Sequence, residues 1–152
     1  WMDIAMGDLE KTISMVDLLI INDEEARQLS GEYSLVKAAQ VILKMGPTHL
    51  IIKKGEHGAI LFHEDGMFAL PAYPVTELRD PTGAGDSFAG ALIGRLASKK
   101  SSDFSSIKEA MLYATSTASL TVEAFGCDRL ESAGAKEIQE RVDSLKKLIS
   151  FS

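Results

Sequence analysis

Apolar runs along the chain alternate with polar stops in a way that predicts strands separated by helices. Asp17-Leu18-Leu19-Ile20-Ile21-Asn22 is a short apolar run with a polar stop, the pattern of a buried parallel strand. Asp23-Glu24-Glu25-Ala26 then gathers acids into a first helical turn, where the macrodipole favours them, and Gly31 ends that element. From Leu35 the apolar residues recur with helical period at Leu35, Ala38, Ala39, Ile42 and Leu43, until Gly46-Pro47 stops them. His49–Lys53 reads as the next strand, Gly55-Glu56-His57-Gly58 turns the chain, and Ala59–Phe62 returns as another strand. Asp65-Gly66 is a hairpin signal, with Met67–Leu70 pairing back.

Pro71, Pro74 and Pro81 punctuate a connecting stretch. A helix is predicted from near Gly85 to about Ser98, then a polar break to Ser106 and a second helical stripe at Ile107, Ala110, Met111, Ala114 and Ala118. Loop signals cover Phe125 to Gly134, and Ile138, Val142, Leu145 and Ile149 make a terminal amphipathic helix. Strand–helix–strand order implies an α/β fold with a largely parallel sheet flanked by helices. With no repeat, low-complexity tract or clear linker, residues 1–152 read as a single unit.

Composition narrows the function classes. The chain has 152 residues, 45% hydrophobic and 25% charged, which excludes bulk disorder. Its net charge of −6 lacks the basic footprint that nucleic acid or an anionic membrane selects. Cys127 stands alone, so no disulfide framework is expected, and a reducing cytoplasm fits. No apolar run approaches a bilayer's thickness. His49, His57 and His63 match no helical ligand pair and read as solvated turn histidines, while Met45 and Met111 read as core.

The chemistry concentrates in Asp80-Pro81-Thr82-Gly83-Ala84-Gly85-Asp86-Ser87-Phe88-Ala89-Gly90. Small residues at Gly83, Ala84 and Gly85 let the backbone approach a ligand closely where a helix begins. Unpaired N–H groups and the positive helix end make an anion site there, and Gly85 would also allow a positive φ. A carboxylate placed inside an anion site would repel phosphate. It makes sense if it takes a proton while the N–H groups neutralise a transferring phosphoryl group. The dinucleotide fingerprint fails because Phe88 stands where its third glycine belongs, and no P-loop motif occurs. The bland alternative is a glycine turn with Asp86 as an N-cap or first-turn acid.

Asp80 to Gly90, continuing into Ala91-Leu92-Ile93, closely resembles the second signature of the PfkB, or ribokinase-like, family of carbohydrate and nucleoside kinases. Asn22-Asp23-Glu24-Glu25 is similar to that family's N-x-x-E element, in which Asn22 and Glu25 help organise metal and phosphates. Lys53-Lys54-Gly55-Glu56-His57-Gly58 is similar to the segment that lies along ATP: Gly55 and Gly58 match, and Lys53 replaces a small hydroxylic residue. The resemblance implies that Asp86 is the general base for a primary hydroxyl and that Gly83, Ala84 and Gly85 supply the anion hole. It implies Mg2+ held largely through water near Glu25. It also implies a monovalent cation such as K+, with Asp80 and Thr82 as side-chain ligands and Thr121, Ala124 and Gly126 as carbonyl ligands. A further hydroxyl of that cation loop falls at about Leu130, a departure from the pattern.

Family members begin with a half that carries acceptor contacts and a β-lid, and no segment here matches it. The chain, opening on Trp1, is therefore expected to be the C-terminal, nucleotide-binding portion of such a kinase, weak in catalysis alone. A sheet edge or apolar face left open would favour self-association, as in a homodimer. The leading expectation is an ATP-dependent sugar or nucleoside kinase acting on a small-molecule alcohol. The alternative is a non-catalytic nucleotide-binding module on the same fold, and a dinucleotide-dependent oxidoreductase ranks behind both.

Overall fold

The computed structural model of the chain describes residues 2–75, 83–123 and 134–151. The chain forms two compact units, Trp1–Ala69 and Leu70–Ser152. The boundary falls just before Pro71 and Pro74, where the connecting stretch begins.

The first unit opens with α1 (Met2–Ile13), an element that the apolar pattern does not predict. Gly7 and several charged residues interrupt its periodicity, and tertiary contact at its end, where Ile13 is 2% exposed, supplies what propensity lacks. The remaining elements follow the predicted order: β1 (Leu18–Asn22), α2 (Asp23–Ser30), α3 (Leu35–Leu43), β2 (His49–Lys53), a 3₁₀ turn at Gly55–His57, β3 (Ala59–His63) and β4 (Gly66–Leu70). The strand order is β1-β2-β3-β4. β1 and β2 are parallel, with Leu18 opposite His49 and Asn22 opposite Lys53. β2 and β3 are antiparallel, with Leu50 opposite Phe62 and Ile52 opposite Ile60. The sheet is thus mixed. The crossover through α2 and α3 permits the parallel pair, whereas the short turn after β2 can only return the chain antiparallel.

Side chains alternate across this sheet. Leu50, Ile52 and Phe62 join Ala26 of α2 and Ala38, Ala39 and Ile42 of α3 in one buried cluster. Ile51 and Leu61, opposite one another in register, are fully buried on the other face. Burying a Leu or Ile side chain stabilises by about 1.5–3 kcal/mol, so β2, apolar on both faces, is a main anchor of the unit.

Two of the three histidines depart from the solvated reading. His49 and His63 are cross-strand partners whose rings stack at 4.3 Å, and His49 is only 7% exposed. Pairing across the antiparallel strands brings together residues fourteen positions apart, which a scan for local spacing misses. His57 is exposed, as expected.

The second unit contains α4 (Ala84–Lys99), α5 (Phe104–Val122) and α6 (Ala135–Ile149). Asp103 caps α5 by accepting the Ser106 N–H at 2.8 Å. The predicted apolar stripe of α5 is buried at Ile107, Ala110, Met111 and Ala114, but Ser116, Thr117, Ser119 and Thr121 are buried with it. Ser116 and Thr117 donate their hydroxyl protons to the carbonyls of Leu112 and Tyr113, which makes their burial tolerable. Ile138, Val142 and Leu145 of α6 are buried as predicted, and Ile149, at the helix end, is exposed. Arg95 of α4 grips Glu109 of α5, with Nη2 2.8 Å from Oε1 and Nε 3.3 Å from Oε2. Among the described residues no helix is long and apolar enough to cross a membrane.

Two predictions follow from this packing. Gly46 has φ +145°, and a Cβ there would lie 2.6 Å from the Ser14 Cα that follows α1. Gly46→Ala should therefore destabilise the protein by at least about 2 kcal/mol in denaturant titration. An unchanged midpoint would mean that α1 does not dock on the turn after α3. The second concerns pH. The hydrogen bond from Arg95 holds the Glu109 carboxyl below its ordinary range, with burial opposing and the charges of Arg95 and Lys99 assisting. A depressed folded value contributes stability that is present above the unfolded pKa and lost as pH falls through the folded one. Glu109→Gln should cost about 0.5–1 kcal/mol at neutral pH, since the pair is part-exposed, and the difference should fade as pH drops through the depressed folded pKa of Glu109. Parallel denaturation curves across that pH range measure this.

Candidate active site

The first unit places part of the candidate set at the carboxyl ends of two parallel strands. Asn22 is both the last residue of β1 and the N-cap of α2. Its Oδ1 accepts the Glu25 N–H at 2.7 Å, and Glu25 Oε1 accepts the Asn22 N–H at 3.0 Å. This is a reciprocal capping box, so the N-x-x-E pattern starts a helix before it does anything else. The box uses one oxygen of each side chain. Both residues are exposed, and the Asn22 amide nitrogen and the second Glu25 oxygen stand outside the box.

Lys53 ends β2 directly beside Asn22. Gly55 and Gly58 form the turn that leaves β2, closed by the Lys54 N–H donating to the Gly58 carbonyl at 2.7 Å. Strand carboxyl ends are where open α/β sheets bind ligands. Asn22, Glu25 and Lys53 are thus brought together at that edge, with Gly55 and Gly58 in the turn beside it.

The second unit holds the other part. Gly83 is the N-cap of α4, with φ 84° and ψ −5°, and no side chain caps this helix. Open space surrounds the position a Cβ would take, so the left-handed backbone and not crowding calls for glycine. The positive φ expected at Gly85 falls here instead, because the chain must turn before the helix begins, and Gly85 already lies within α4. Ala84, Gly85 and Asp86 form the first turn, and the first helical bond is the Ser87 N–H to the Gly83 carbonyl at 2.8 Å. First-turn N–H groups have no intrahelical acceptor, and the helix dipole adds positive potential. Asp86 is exposed and sits three residues after the cap, so it is a first-turn acid and not the N-cap. With Gly83 and Ser87 it lines a cavity of about 600 Å³, bounded further along by Gly94, Tyr113 and Thr117.

Thr121 is fully buried in the last turn of α5, and its hydroxyl donates to Ser87 Oγ at 3.1 Å. Asp80, Thr82, Ala124 and Gly126 lie outside the described residues, as does Cys127. Among the described residues no three His, Cys, Asp or Glu side chains gather as a metal cluster.

Two further features escape sequence reading. Arg141 of α6 pairs with both oxygens of Glu123 at 2.8 and 3.0 Å, donates to Ser119 Oγ at 3.1 Å, and lies over the Tyr73 ring at 4.6 Å. This clamp fixes the end of α5. Its members lie too far apart in sequence for local spacing to reveal them, and the Thr121–Ser87 contact is hidden for the same reason.

Comparison with known proteins agrees with the fold. A family model described as pfkB family carbohydrate kinase matches residues 1–133. The chain is 34% identical over 122 residues to the bifunctional ribokinase/ribose-5-phosphate isomerase A of Fructilactobacillus sanfranciscensis, covering 77% of this chain and 22% of that protein. Its fold is similar to the aminoimidazole riboside kinase from Salmonella enterica complexed with aminoimidazole riboside and an ATP analog. The TM-score is 0.81 at 25% identity, over 93% of this chain and 47% of that one. A putative ribokinase II from E. coli in complex with ATP and Mg2+ gives a TM-score of 0.74 at 28% identity, over 90% and 42% respectively. The chain spans less than half the length of these relatives.

The capping box makes a local prediction. Asn22→Ala should cost about 1 kcal/mol of stability, because it removes the cap. Glu25→Gln should stay within about 0.5 kcal/mol of the native protein, because Gln serves equally at that position of the box. Melting curves of the two variants compare them. Equal losses would mean that the Glu25 charge, and not the box, holds the start of α2.

Proposed function

The chain belongs to the pfkB family of carbohydrate kinases, and from that premise we propose that it carries the nucleotide-binding and phosphoryl-transfer machinery of an ATP-dependent kinase. The acceptor is a primary alcohol of a carbohydrate-type small molecule, a sugar or a nucleoside. The observation that carries this reading is the start of α4: a glycine cap with no side-chain cap, a first turn of N–H groups, and an exposed carboxylate three residues after the cap.

In this reading the Asp86 carboxylate accepts the proton of the acceptor hydroxyl as its oxygen attacks the γ-phosphorus, and the bond to the β–γ bridging oxygen breaks to leave ADP. The N–H groups of Gly83, Ala84 and Gly85 meet the charge on the transferring phosphoryl oxygens. They are held there before the reaction, so little reorganisation is needed. Asn22, Glu25, Lys53, Gly55 and Gly58 are assigned to the nucleotide, with the Asn22 amide and the Lys53 ammonium as donors to its phosphates.

The donor chemistry fits a hard cation. Glu25 keeps one carboxylate oxygen outside the capping box, on an exposed side chain, suited to Mg2+ through water. Bound Mg2+ would neutralise charge on the phosphate oxygens. For the monovalent cation, K+ or a similar ion, Thr121 places its carbonyl in the last turn of α5, where the helix dipole is negative. Asp80, Thr82, Ala124 and Gly126 complete that proposed set.

The reading turns on Asp86. Asp86→Asn in the intact protein should lower kcat by about 10²–10⁴-fold, because the proton acceptor is gone. ATP affinity should hold or rise, since a negative charge beside phosphate is removed. A non-catalytic nucleotide-binding module predicts no turnover by the native protein with any sugar or nucleoside, and an unchanged ATP titration. Coupled-assay kinetics over an acceptor panel, with ATP titration, separate the two. Near-native kcat in the Asn variant would remove Asp86 from the mechanism.

A further inference from the structure

Among the described residues, helices start in two ways. Asn22, Ser34 and Asp103 cap α2, α3 and α5 with side-chain oxygens that each accept an N–H of the following turn. The glycine starts of α4 and α6 have no such cap. A side-chain cap does two things at once: it fixes the first turn, and it occupies a first-turn N–H. A first turn that offers its N–H groups to a ligand needs to be fixed by something that leaves those groups alone.

Thr121 meets that requirement. It is 0% exposed, and its hydroxyl donates to Ser87 Oγ at 3.1 Å, on the residue that follows Asp86. The same single proton is shared with the Thr117 carbonyl of its own helix, at the longer distance of 3.3 Å. Among the buried hydroxyls described on α5, those of Ser116, Thr117 and Ser119 donate within the helix, and the Thr121 hydroxyl is the one that reaches α4. The turn of α5 that carries Thr121 is itself held from the far side, where Arg141 of α6 grips Glu123 and Ser119. The contact is therefore made from a braced element. It lands on the side chain of Ser87, whose N–H is already satisfied by Gly83, and so occupies none of the N–H groups of Ala84, Gly85 and Asp86.

We infer that Thr121 is a positioning residue: its buried hydroxyl, acting through Ser87, fixes the first turn of α4 and with it the carboxylate of Asp86. The consequence for catalysis rests on the kinase reading above; the tie itself does not. This role belongs to the side chain and differs from the carbonyl role proposed for Thr121 at a cation site. Every substitution keeps the carbonyl, so side-chain variants test the new role alone.

Thr121→Val removes the hydroxyl at nearly constant shape. In the intact protein it should lower kcat about tenfold, the kinetic equivalent of one hydrogen bond, with KM for ATP within about twofold. Thr121→Ser should restore kcat. Ser87→Ala, at a part-exposed helical position that tolerates alanine, should reproduce the loss, and the double variant should be no worse than either single one. Amide hydrogen exchange reads the tie without turnover. The Ser87 amide should exchange faster in Thr121→Val and in Ser87→Ala, while amides near Leu92 stay as in the native protein. Should the native protein phosphorylate no acceptor while exchange at Ser87 still responds, the tie stands and the kinase reading falls. Native exchange at Ser87 in both variants, or a kcat loss that Thr121→Ser does not rescue, would overturn the positioning role.

Discussion

An α-helix leaves its first N–H groups without intrahelical acceptors, and side chains, water or a ligand must take them. Two kinds of start occur among the described residues. At Asn22 the strand-to-helix junction is closed by a reciprocal box, with contacts of 2.7 and 3.0 Å. At Gly83 the junction is left open by a residue with no side chain, in a backbone conformation that glycine adopts without cost. The open start constrains the rest of its unit. A glycine start gives up only about a few tenths of a kcal/mol against a side-chain cap, but it leaves the placement of the first turn to packing. α4 buries only Phe88 and Leu92, so the ties to α5, Arg95–Glu109 near one end and Ser87–Thr121 near the other, carry more of its placement than its own sequence does.

The first unit solves a different problem with the same elements. The residues proposed to face the nucleotide have to lie at one edge, and the strands that deliver Asn22 and Lys53 run parallel and end in register. A parallel pair requires a long crossover, and α2 and α3 provide it while covering one sheet face with Ala26, Ala38, Ala39 and Ile42. Three alanines among these four residues let the helices approach the strands closely. The hairpin that adds β3 and β4 widens the sheet and buries Leu61 and Phe62. It does this without altering the edge where Asn22 and Lys53 sit.

Much of this was legible in the sequence. Strand and helix spans from Leu18 to Leu70 follow from apolar period, glycine stops and a hairpin dipeptide, all local signals of the kind that backbone geometry imposes. The signature from Asp80 to Gly90 was legible because a close-approach turn leaves few residue choices. Its detail was less so: the left-handed residue is Gly83 and not Gly85, since period alone does not say where a helix starts. What stayed hidden was tertiary. α1 has too weak a pattern to declare itself. The His49–His63 stack depends on strand register. The buried hydroxyls of α5 look like a polar interruption until their protons are traced to carbonyls one turn back.

The carboxylate beside the open helix start remains the feature that asks most of physical chemistry. Two unit charges 4 Å apart repel by about 1 kcal/mol in water and about 4 kcal/mol at an effective dielectric of 20. Asp86 is exposed, so its cost to an arriving phosphate lies toward the lower figure. Hydrogen bonds to a charged group contribute about 1.5–3 kcal/mol each, so two first-turn N–H groups outweigh that repulsion and binding survives. The balance changes when a proton arrives. In the proposed transfer, once Asp86 has taken the acceptor's proton its charge is gone, and the repulsion disappears while the N–H groups still hold the phosphoryl oxygens. An interaction that is unfavourable in the ground state and relieved as the reaction proceeds lowers the barrier, whereas one of constant strength would not. On the kinase reading proposed for this chain, an acid in an anion site is therefore part of how the site would discriminate between binding a nucleotide and reacting with it.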